Sequence, residues 1–324
     1  MTLTDISSPI KNDLEEFNKF FKKQLKTEVA LLDLVLKYVT KKKGKQIRPI
    51  LVLLSAGLCG GINSNSHIGA SLVELLHTAT LIHDDVVDEA DERRGIATIN
   101  VSWNNKIAVL IGDFLLSKGL LISIDNNQFQ FLKITSNAVR RMSEGELLSI
   151  ENSKKVDTNE ETYFQIIGDK TASLMASCTE IGARSVTDDK IILEKLRNFG
   201  EYLGIAFQLK DDLFDYTTKS TIIGKPVGID IKEKKLTLPI IYALKQIDKS
   251  EAKSIVKKIK KGKLKSSEVK EIVKFVNEKG GVEYTKNLAI EYIERAKSLI
   301  KDFPESVYKS SLIQLSDFIL DRKL

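Results

Sequence analysis

The sequence predicts an all-α fold, and the scarcity of helix-breaking residues is the first indication. The 324 residues include 18 glycines and 5 prolines. Long segments rich in Leu, Ile, Lys and Glu separate these breaks, with the spacing typical of amphipathic or buried helices. No linker of disorder-like composition and no short-period repeat divides the chain, so we expect one helical domain over residues 1–324.

Each predicted helix follows from an apolar pattern between two breaks. A basic run, Gly44 and Pro49 mark a turn at residues 41–49, with Pro49 at the expected start of the next helix. Residues 217–238 hold several breakers and are expected to be rich in loops. The pattern predicts helices at residues 14–39 (one or two), 50–58, 68–91, 107–124, 129–149, 160–184 and 191–216, with four or five more towards the C-terminus.

Composition argues against several other classes of protein. The net charge is +6, but the lysines lie at helical spacing opposite Ile and Val without interleaved aromatic residues, so we expect no nucleic-acid partner. Cys59 and Cys178 stand in apolar contexts, and two thiols are expected rather than a disulfide. The N-terminus lacks a secretory signal, and no uninterrupted apolar run approaches roughly 20 residues. We therefore expect a soluble, cytoplasmic protein.

An acidic motif, D-D-x-x-D, occurs twice, each time at the end of an apolar helix. Residues four apart lie on one face of a helix, so Asp84 is expected beside Asp88, and Asp211 beside Asp215. Like charges at this spacing oppose helix formation unless a cation neutralises them. Two solvated acidic helix ends are the simplest alternative. The motifs consist of Asp84, Asp85 and Asp88, and of Asp211, Asp212 and Asp215.

The ligand types indicate which cation these motifs bind. Carboxylate oxygens without a Cys or His cluster suit Mg²⁺ and do not suit Zn²⁺, and the calcium-loop pattern is absent. Protein-bound Mg²⁺ usually keeps waters and takes phosphate oxygens. The paired motifs therefore predict a diphosphate held through Mg²⁺ between two helices.

Basic residues near the acids supply the second part of a diphosphate site, because guanidinium and ammonium groups bind phosphate oxygens. Each of these residues alone is most simply a surface charge. His77 lies two turns before Asp84 on the same predicted helix, and a phosphate contact is possible there. The cationic candidates are Lys45, Arg48, Arg93, Arg94, Lys170, Lys225 and Lys235.

Six segments in this order resemble the trans-type polyprenyl diphosphate synthases, most closely the long-chain, octaprenyl-type enzymes. They cover about residues 41–239. The resemblance implies an isoprenoid-synthase-type bundle of long helices around a central cavity, usually a homodimer. The segments are GKQIRP, ELLHTATLIHDDVVDEADERRG, GDFLLSKG, GDKTASL, AFQLKDDLFDY and GKPVGIDIKEKKLTLP.

The resemblance also implies an activity, a cofactor and residue roles. Such an enzyme adds isopentenyl diphosphate repeatedly to an allylic diphosphate, such as farnesyl diphosphate, with trans double bonds. Product length would be about C30 to C45, for a quinone side chain, and peripheral membrane association would arise through the product. Three Mg²⁺ ions per active site would be held by Asp84, Asp85, Asp88, Asp211 and Asp215, with Asp212 in support. The allylic diphosphate would be bound by Arg93, Lys170, Lys225 and Lys235. Isopentenyl diphosphate would be bound by Lys45, Arg48, His77 and Arg94. The side chains beside the reacting carbons would be those of Thr171 and Gln208.

Two small residues, Ala79 and Thr80, lie one turn before Asp84. Short-chain relatives tend to carry a bulky aromatic residue there, so the small pair predicts an open product tunnel, whereas close helix packing is the structural alternative. The sequence departs from the family where Lys43-Gly44-Lys45-Gln46 replaces GGKR and where Lys234 replaces a glycine. Alternative functions are a shorter-chain (C15–C20) synthase, a class I terpene cyclase and a non-catalytic subunit of a heteromeric synthase.

Overall fold

The computed structural model describes residues 2–41, 44–93, 95–154, 159–217, 228–262 and 264–322. Within these ranges the only strands form a two-stranded antiparallel hairpin, β1 (Glu92–Arg93) with β2 (Ile96–Ala97). The helices of the first half are α1 (Leu3–Ile6), α2 (Lys11–Gln24), α3 (Ala30–Lys41), α4 (Ile47–Cys59), α5 (Ser64–Val87), α6 (Ile99–Ser102), α7 (Asn105–Asp125) and α8 (Phe129–Lys154).

The second half continues the helical pattern. Its helices are α9 (Glu160–Ile167), α10 (Ser173–Arg184), α11 (Lys190–Phe214), α12 (Ile229–Lys232), α13 (Leu238–Lys245), α14 (Lys249–Lys260), α15 (Ser266–Glu278), α16 (Gly281–Ile300) and α17 (Val307–Asp321). The predicted all-α class is confirmed. Both cysteines are free thiols, as expected.

Three differences between the predicted and the observed helices have a local reason. α4 begins at Ile47, so Pro49 lies within its first turn. Proline is tolerated there because the first backbone N–H groups of a helix have no acceptor within it, and proline lacks only that N–H. α5 ends at Val87 rather than at residue 91 because Glu89 adopts a left-handed φ of 50°. The helix predicted over 160–184 contains a π-helical turn, Gly168–Ala172, between α9 and α10.

The chain groups into two compact units, and each is described separately. The first comprises Met1–Ser136, Ser177–Arg197 and Phe303–Leu312, and the second Asn137–Ala176, Asn198–Asp302 and Ile313–Leu324. The single domain expected over residues 1–324 stays a prediction.

In the first unit, α5 packs against α4 and α7. The α5 N-terminus is fixed by a capping box, in which the Asn63 side chain accepts from the Ser66 N–H and the Ser66 hydroxyl accepts from the Asn63 N–H. Most α5 side chains between Ile68 and Ile82 are buried. The chain thus enters the first acid motif from a buried helix, as the sequence predicts.

One helix of the described ranges, α7, is long and apolar enough to cross a membrane by length and composition alone. Asp113 and Lys118 interrupt its apolar sequence, so the expectation that no uninterrupted apolar run approaches roughly 20 residues stands. The same composition also suits a core helix, and α7 packs along α5 within the first unit. Part of α7 remains exposed, including Leu110, Leu120 and Leu121.

The second unit has an apolar core of its own around α13, α15 and α16. Leu238, Ile240 and Val276 are fully buried there. Tyr163 of α9 and Tyr216, just after α11, are also buried in this core. The second acid motif therefore begins on a helix whose end is anchored in apolar packing.

Candidate functional site

The first acid motif completes the C-terminal end of α5. The Asp88 N–H donates to the Asp84 carbonyl oxygen at 2.8 Å, and Asp88 keeps a right-handed helical conformation. The side chains of Asp84 and Asp88 therefore lie on the same face, one turn apart, as the spacing predicts. Asp84 is half-buried and Asp88 is exposed, so carboxylate oxygens are presented at this helix end.

The middle acid of this motif, Asp85, is buried at 5% exposure. The Arg93 Nε donates to its Oδ1 at 2.6 Å, which compensates a carboxylate that burial would otherwise leave unpaired. Burial raises the pKa of Asp85, while the hydrogen bond and charge of Arg93 oppose that rise. Arg93, predicted to contact substrate, is here an ion-pair partner of the motif.

Two residues predicted to bind one substrate lie in contact. The Arg48 Nη1 lies 2.8 Å from the Nε2 of His77, which is 9% exposed. A guanidinium can only donate, so Nε2 is the acceptor and His77 is a neutral imidazole with its proton on Nδ1. Lys45 is exposed at the segment before α4, and Arg94 lies outside the described residues.

A cavity of about 190 Å³ in the first unit adjoins these groups. Its lining includes Gln46, Glu74, His77, Asp85 and Arg93 together with mostly apolar side chains. A mostly apolar lining with a few convergent polar groups is typical of ligand sites.

Ala79 is fully buried, and the half-buried Thr80 donates from its hydroxyl to the His77 carbonyl oxygen at 2.9 Å. Neither residue lines the cavity near His77. The product tunnel beside this pair stays a prediction.

In the second unit, Asp211 is paired with an arginine near the C-terminus. The Arg322 Nη2 donates to the Asp211 Oδ1 at 2.6 Å and to the Phe207 carbonyl oxygen at 2.8 Å. The guanidinium lies 3.8 Å from the centre of the Phe207 ring. These contacts hold a cation beside the first acid of the second motif.

Asp212 is the buried member of this motif, at 4% exposure. The Tyr163 hydroxyl donates to its Oδ2 at 2.6 Å, and the Gln208 Nε2 donates to its Oδ1 at 2.8 Å. Burial raises the pKa of Asp212 to about 8, against the effect of these hydrogen bonds. The carboxyl group is thus tied to two neighbours within the protein.

This arrangement fixes the polarity of Thr171. Because the Gln208 amide nitrogen faces Asp212, its oxygen faces the other way and accepts from the Thr171 Oγ1 at 3.0 Å. The Thr171 hydroxyl hydrogen is used in that bond, so its remaining capacity is the lone pairs of the oxygen. Thr171 therefore offers an electron-rich oxygen, which suits a neighbour with positive charge.

The Asp215 carboxylate is held by the first two backbone N–H groups of α12. Its oxygens accept from the N–H groups of Ile229 at 2.7 Å and Asp230 at 3.0 Å. Burial raises the pKa of Asp215 in spite of these bonds. Burial also raises the pKa of Asp230 to about 6, and the charge of Asp215 adds to that rise.

The predicted lysines of this unit have acidic partners. Lys170, in the π-helical turn, forms an ion pair with Glu146, and Lys235 forms one with Glu233 at 2.7 Å. Lys225 lies outside the described residues. Lys234, where relatives often have glycine, adopts a left-handed φ of 64°, the conformation in which glycine carries no steric penalty.

The acids fit Mg²⁺ by their chemistry. Within the described ranges no group of three or more Asp, Glu, His or Cys side chains converges on a metal position. Mg²⁺ does not need such a cage, because it is commonly held by one or two carboxylates, waters and substrate phosphates. Asp84 and Asp88 provide such carboxylates in the first unit, and Asp211 provides one in the second. That any of the six acids binds metal stays a prediction.

Several residues of the site carried no sequence signal. Tyr163 and Arg322 reach their acids from 49 and 111 residues away. Arg141 donates to Asp169 and Glu201 from α8. A single sequence shows charge and spacing along the chain, but it does not show which distant side chain a buried acid will meet.

Comparisons of this chain with family models and with known proteins all indicate the same family. The polyprenyl synthetase family model matches residues 29–276. The all-trans-nonaprenyl-diphosphate synthase (geranyl-diphosphate specific) of Rhodobacter capsulatus is 37% identical over 98% of this chain and 97% of its own length. The octaprenyl diphosphate synthase of Escherichia coli is 34% identical over 99% of both chains.

A solved structure supports the same relationship. It is a polyprenyl synthase from Caulobacter crescentus complexed with calcium and isoprenyl diphosphate. Its TM-score is 0.91 at 31% identity, and the alignment covers 100% of this chain and 98% of that one. The likeness therefore extends over the whole chain, beyond the motifs of residues 41–239.

The raised pKa of Asp212 predicts a pH-dependent stability. A native pKa of about 8, above the ordinary 3.9 or so, means that the native state binds more protons between these values, so the free energy of unfolding falls as pH rises through this window. Asp212→Asn removes this dependence. The free energy of unfolding is measured by urea titration in EDTA at pH 5 and at pH 8. Between these two values, the difference between variant and wild type should change by at least about 1 kcal/mol in favour of the variant. The exposed control Asp125→Asn should show a constant difference, and a constant difference for Asp212→Asn as well would contradict the prediction.

Proposed function

We propose the following chemistry for a chain that belongs to the polyprenyl synthetase family. It is a prenyltransferase that adds isopentenyl diphosphate units successively to an allylic diphosphate and makes a long-chain, all-trans polyprenyl diphosphate. The observation that carries this function is the second acid of each motif. Asp85 and Asp212 are buried and hydrogen-bonded to other side chains. This burial distinguishes the motifs from acidic helix ends that are simply exposed to solvent.

The metal is Mg²⁺ in this proposal, with three ions per active site. Asp84 and Asp88 would hold ions in the first unit. Asp211, which pairs with Arg322 in this structure, would hold one in the second. When bound, Mg²⁺ neutralises negative charge that develops on the departing diphosphate. That a relative of this chain was solved with calcium and isoprenyl diphosphate supports a divalent cation beside a diphosphate.

The protein's own groups prepare the two substrates for reaction. Arg48 binds isopentenyl diphosphate, and its contact with His77 fixes the orientation of that ring. Lys170 binds the allylic diphosphate and exchanges its pairing with Glu146 for phosphate oxygens. The lone pairs of Thr171 face the allylic carbon, whose positive charge they stabilise as the carbon–oxygen bond breaks.

The remaining substrate contacts follow the resemblance. Arg93, Lys225 and Lys235 bind the allylic diphosphate, and Lys45 and Arg94 bind isopentenyl diphosphate. The isopentenyl double bond then attacks the allylic carbon and a proton leaves. The motifs contain no evident side-chain base, so we assign this proton to the released diphosphate.

Product length, partner and location are finer parts of the proposal. The small Ala79 leaves the growing chain free to extend beside α5, to about C30 to C45, as a precursor of a quinone side chain. A homodimer is supported by the exposed leucines of α7, Leu110, Leu120 and Leu121, since exposed apolar clusters mark contact surfaces. We place the enzyme in the cytoplasm, with the product as the cause of any membrane association.

The activity is tested by incubating the purified protein with Mg²⁺, farnesyl diphosphate and labelled isopentenyl diphosphate and separating the products by length. We expect C30 or longer. Asp84→Ala should lower kcat by at least about 10²-fold because it removes a carboxylate that would hold Mg²⁺ beside the departing diphosphate. The exposed acid Asp91 provides the matched control, Asp91→Ala, which should leave kcat unchanged.

Each other outcome of this experiment selects an alternative. Products that stop at C15 to C20 would indicate the short-chain synthase. A cyclised hydrocarbon without elongation would indicate a terpene cyclase. No reaction from the folded protein would indicate a subunit that lacks its partner, and equal activity of the two alanine variants would contradict the role of Asp84.

Product length should depend on the size of residue 79. Ala79→Tyr places an aromatic ring one turn below the acids, where it blocks the extension of the chain, so the longest product should shorten. Because Ala79 is fully buried, Tm is measured alongside product length, and Thr80→Tyr, at a half-buried position, provides a second variant. Unchanged product length in both folded variants would contradict the tunnel.

A further inference from the structure

We infer that Arg141 is a positioning residue, which holds the π-helical turn Gly168–Ala172 in register. The turn carries Lys170 and Thr171, so the inference rests on the roles proposed for these two residues. Arg141 itself touches neither substrate nor reacting atoms in this account. It acts through the acidic side chains that it joins.

The turn is an element that needs support. The Ser173 N–H donates to the Gly168 carbonyl oxygen, five residues earlier, where an α-helix would connect residues four apart. A π-helical turn inserts one extra residue into the helix, and such turns occur frequently at functional sites. The extra residue rotates the side chains that follow it by about 100° relative to a regular helix. The directions of the Lys170 and Thr171 side chains therefore depend on where in the helix the extra residue lies.

Arg141 joins the turn to α11 by two charge-assisted hydrogen bonds. Its Nε donates to the Asp169 Oδ1 at 2.7 Å, and its Nη2 donates to the Glu201 Oε1 at 2.8 Å. All three side chains are partly buried, at 31%, 19% and 27% exposure, where such bonds are stronger than at the surface. The planar guanidinium reaches both carboxylates at once, which a lysine cannot do with the same geometry.

Two glycines bring the turn against the neighbouring helices. A Cβ on Gly145 of α8 would lie 2.9 Å from the Asp169 Cβ and 3.0 Å from the Lys170 nitrogen. A Cβ on Gly204 of α11 would lie 2.5 Å from the Ala172 Cα. The turn therefore has little room to shift on either side.

The supporting residues lie in rows along one face of each helix. On α11, Glu201, Gly204 and Gln208 follow at spacings of three and four, and Gln208 accepts from Thr171. On α8, Arg141 and Gly145 are four residues apart, and the next residue is Glu146, the partner of Lys170. The residues that brace the turn are thus continuous with the residues that orient its two functional side chains.

This role is tested by measuring kcat and KM of the Arg141→Gln variant and of a matched variant at the neighbouring Arg140. Arg140 forms an exposed ion pair with Glu144 on the same helix, so Arg140→Gln is the matched control. Misplacement of Lys170 and Thr171 should lower kcat about 10²-fold, whereas KM for isopentenyl diphosphate should stay within about twofold. Arg141→Lys should restore part of kcat, and Arg140→Gln should equal wild type.

Hydrogen exchange supplies a readout that does not depend on activity. Amides of residues 168–172 should exchange faster in Arg141→Gln than in Arg140→Gln. If the single variant fails to fold, the triple variant Arg141→Gln, Asp169→Asn, Glu201→Gln avoids unpaired buried carboxylates and should show the same kcat loss and faster exchange.

Wild-type kcat in folded Arg141→Gln, unchanged exchange at residues 168–172, or equal losses of kcat and of isopentenyl diphosphate affinity would each overturn the inference. An inactive wild-type protein would instead contradict the proposed function. The exchange experiment would still decide whether Arg141 holds the turn.

Discussion

The burial of carboxylates at the ends of apolar helices is the constraint on which the other features of the site depend. Burying a carboxyl group costs free energy unless the protein supplies partners. Where the partners do not offset the burial of the charged form, the pKa rises, as it does to about 8 at Asp212. Both motifs bury their second acid, Asp85 at 5% and Asp212 at 4% exposure. The first receives Arg93, and the second receives Tyr163 and Gln208. In each unit the second acid anchors the helix end, and the outer acids lie beside that anchor.

The consequences of this anchoring extend to groups that carry no charge. Because Asp212 accepts the Gln208 amide N–H, the amide oxygen accepts from Thr171, which leaves an electron-rich oxygen on Thr171. A buried acid thus sets the polarity of a hydroxyl two hydrogen bonds away. The π-helical turn that carries Thr171 is fixed on its other side by Arg141, so electrostatics and packing act on the same residue.

The sequence predicted the class of the fold and the acidic centre of each motif because both depend on local spacing. The i, i+4 rule placed Asp84 and Asp88 on one face. Apolar periodicity predicted α11 to within two residues at each end, whereas α5 begins and ends four residues earlier than predicted. The π-helical turn was not predicted, because residues 160–184 were interpreted as one regular helix and an inserted residue shifts the apolar pattern by only one position. It also missed Tyr163 and Arg322, because a partner 49 or 111 residues away depends on tertiary packing.

The most direct test of this account is the binding of Mg²⁺ with and without inorganic diphosphate, measured by isothermal titration calorimetry. Each ion receives only one or two carboxylates from the protein, so the protein should bind Mg²⁺ weakly in the absence of diphosphate. When diphosphate supplies further oxygens, the Mg²⁺ affinity should rise at least about tenfold. The double variant Asp84→Asn, Asp88→Asn should lose this enhancement. Mg²⁺ affinity that is unchanged by diphosphate, or an enhancement that survives in the double variant, would contradict the account.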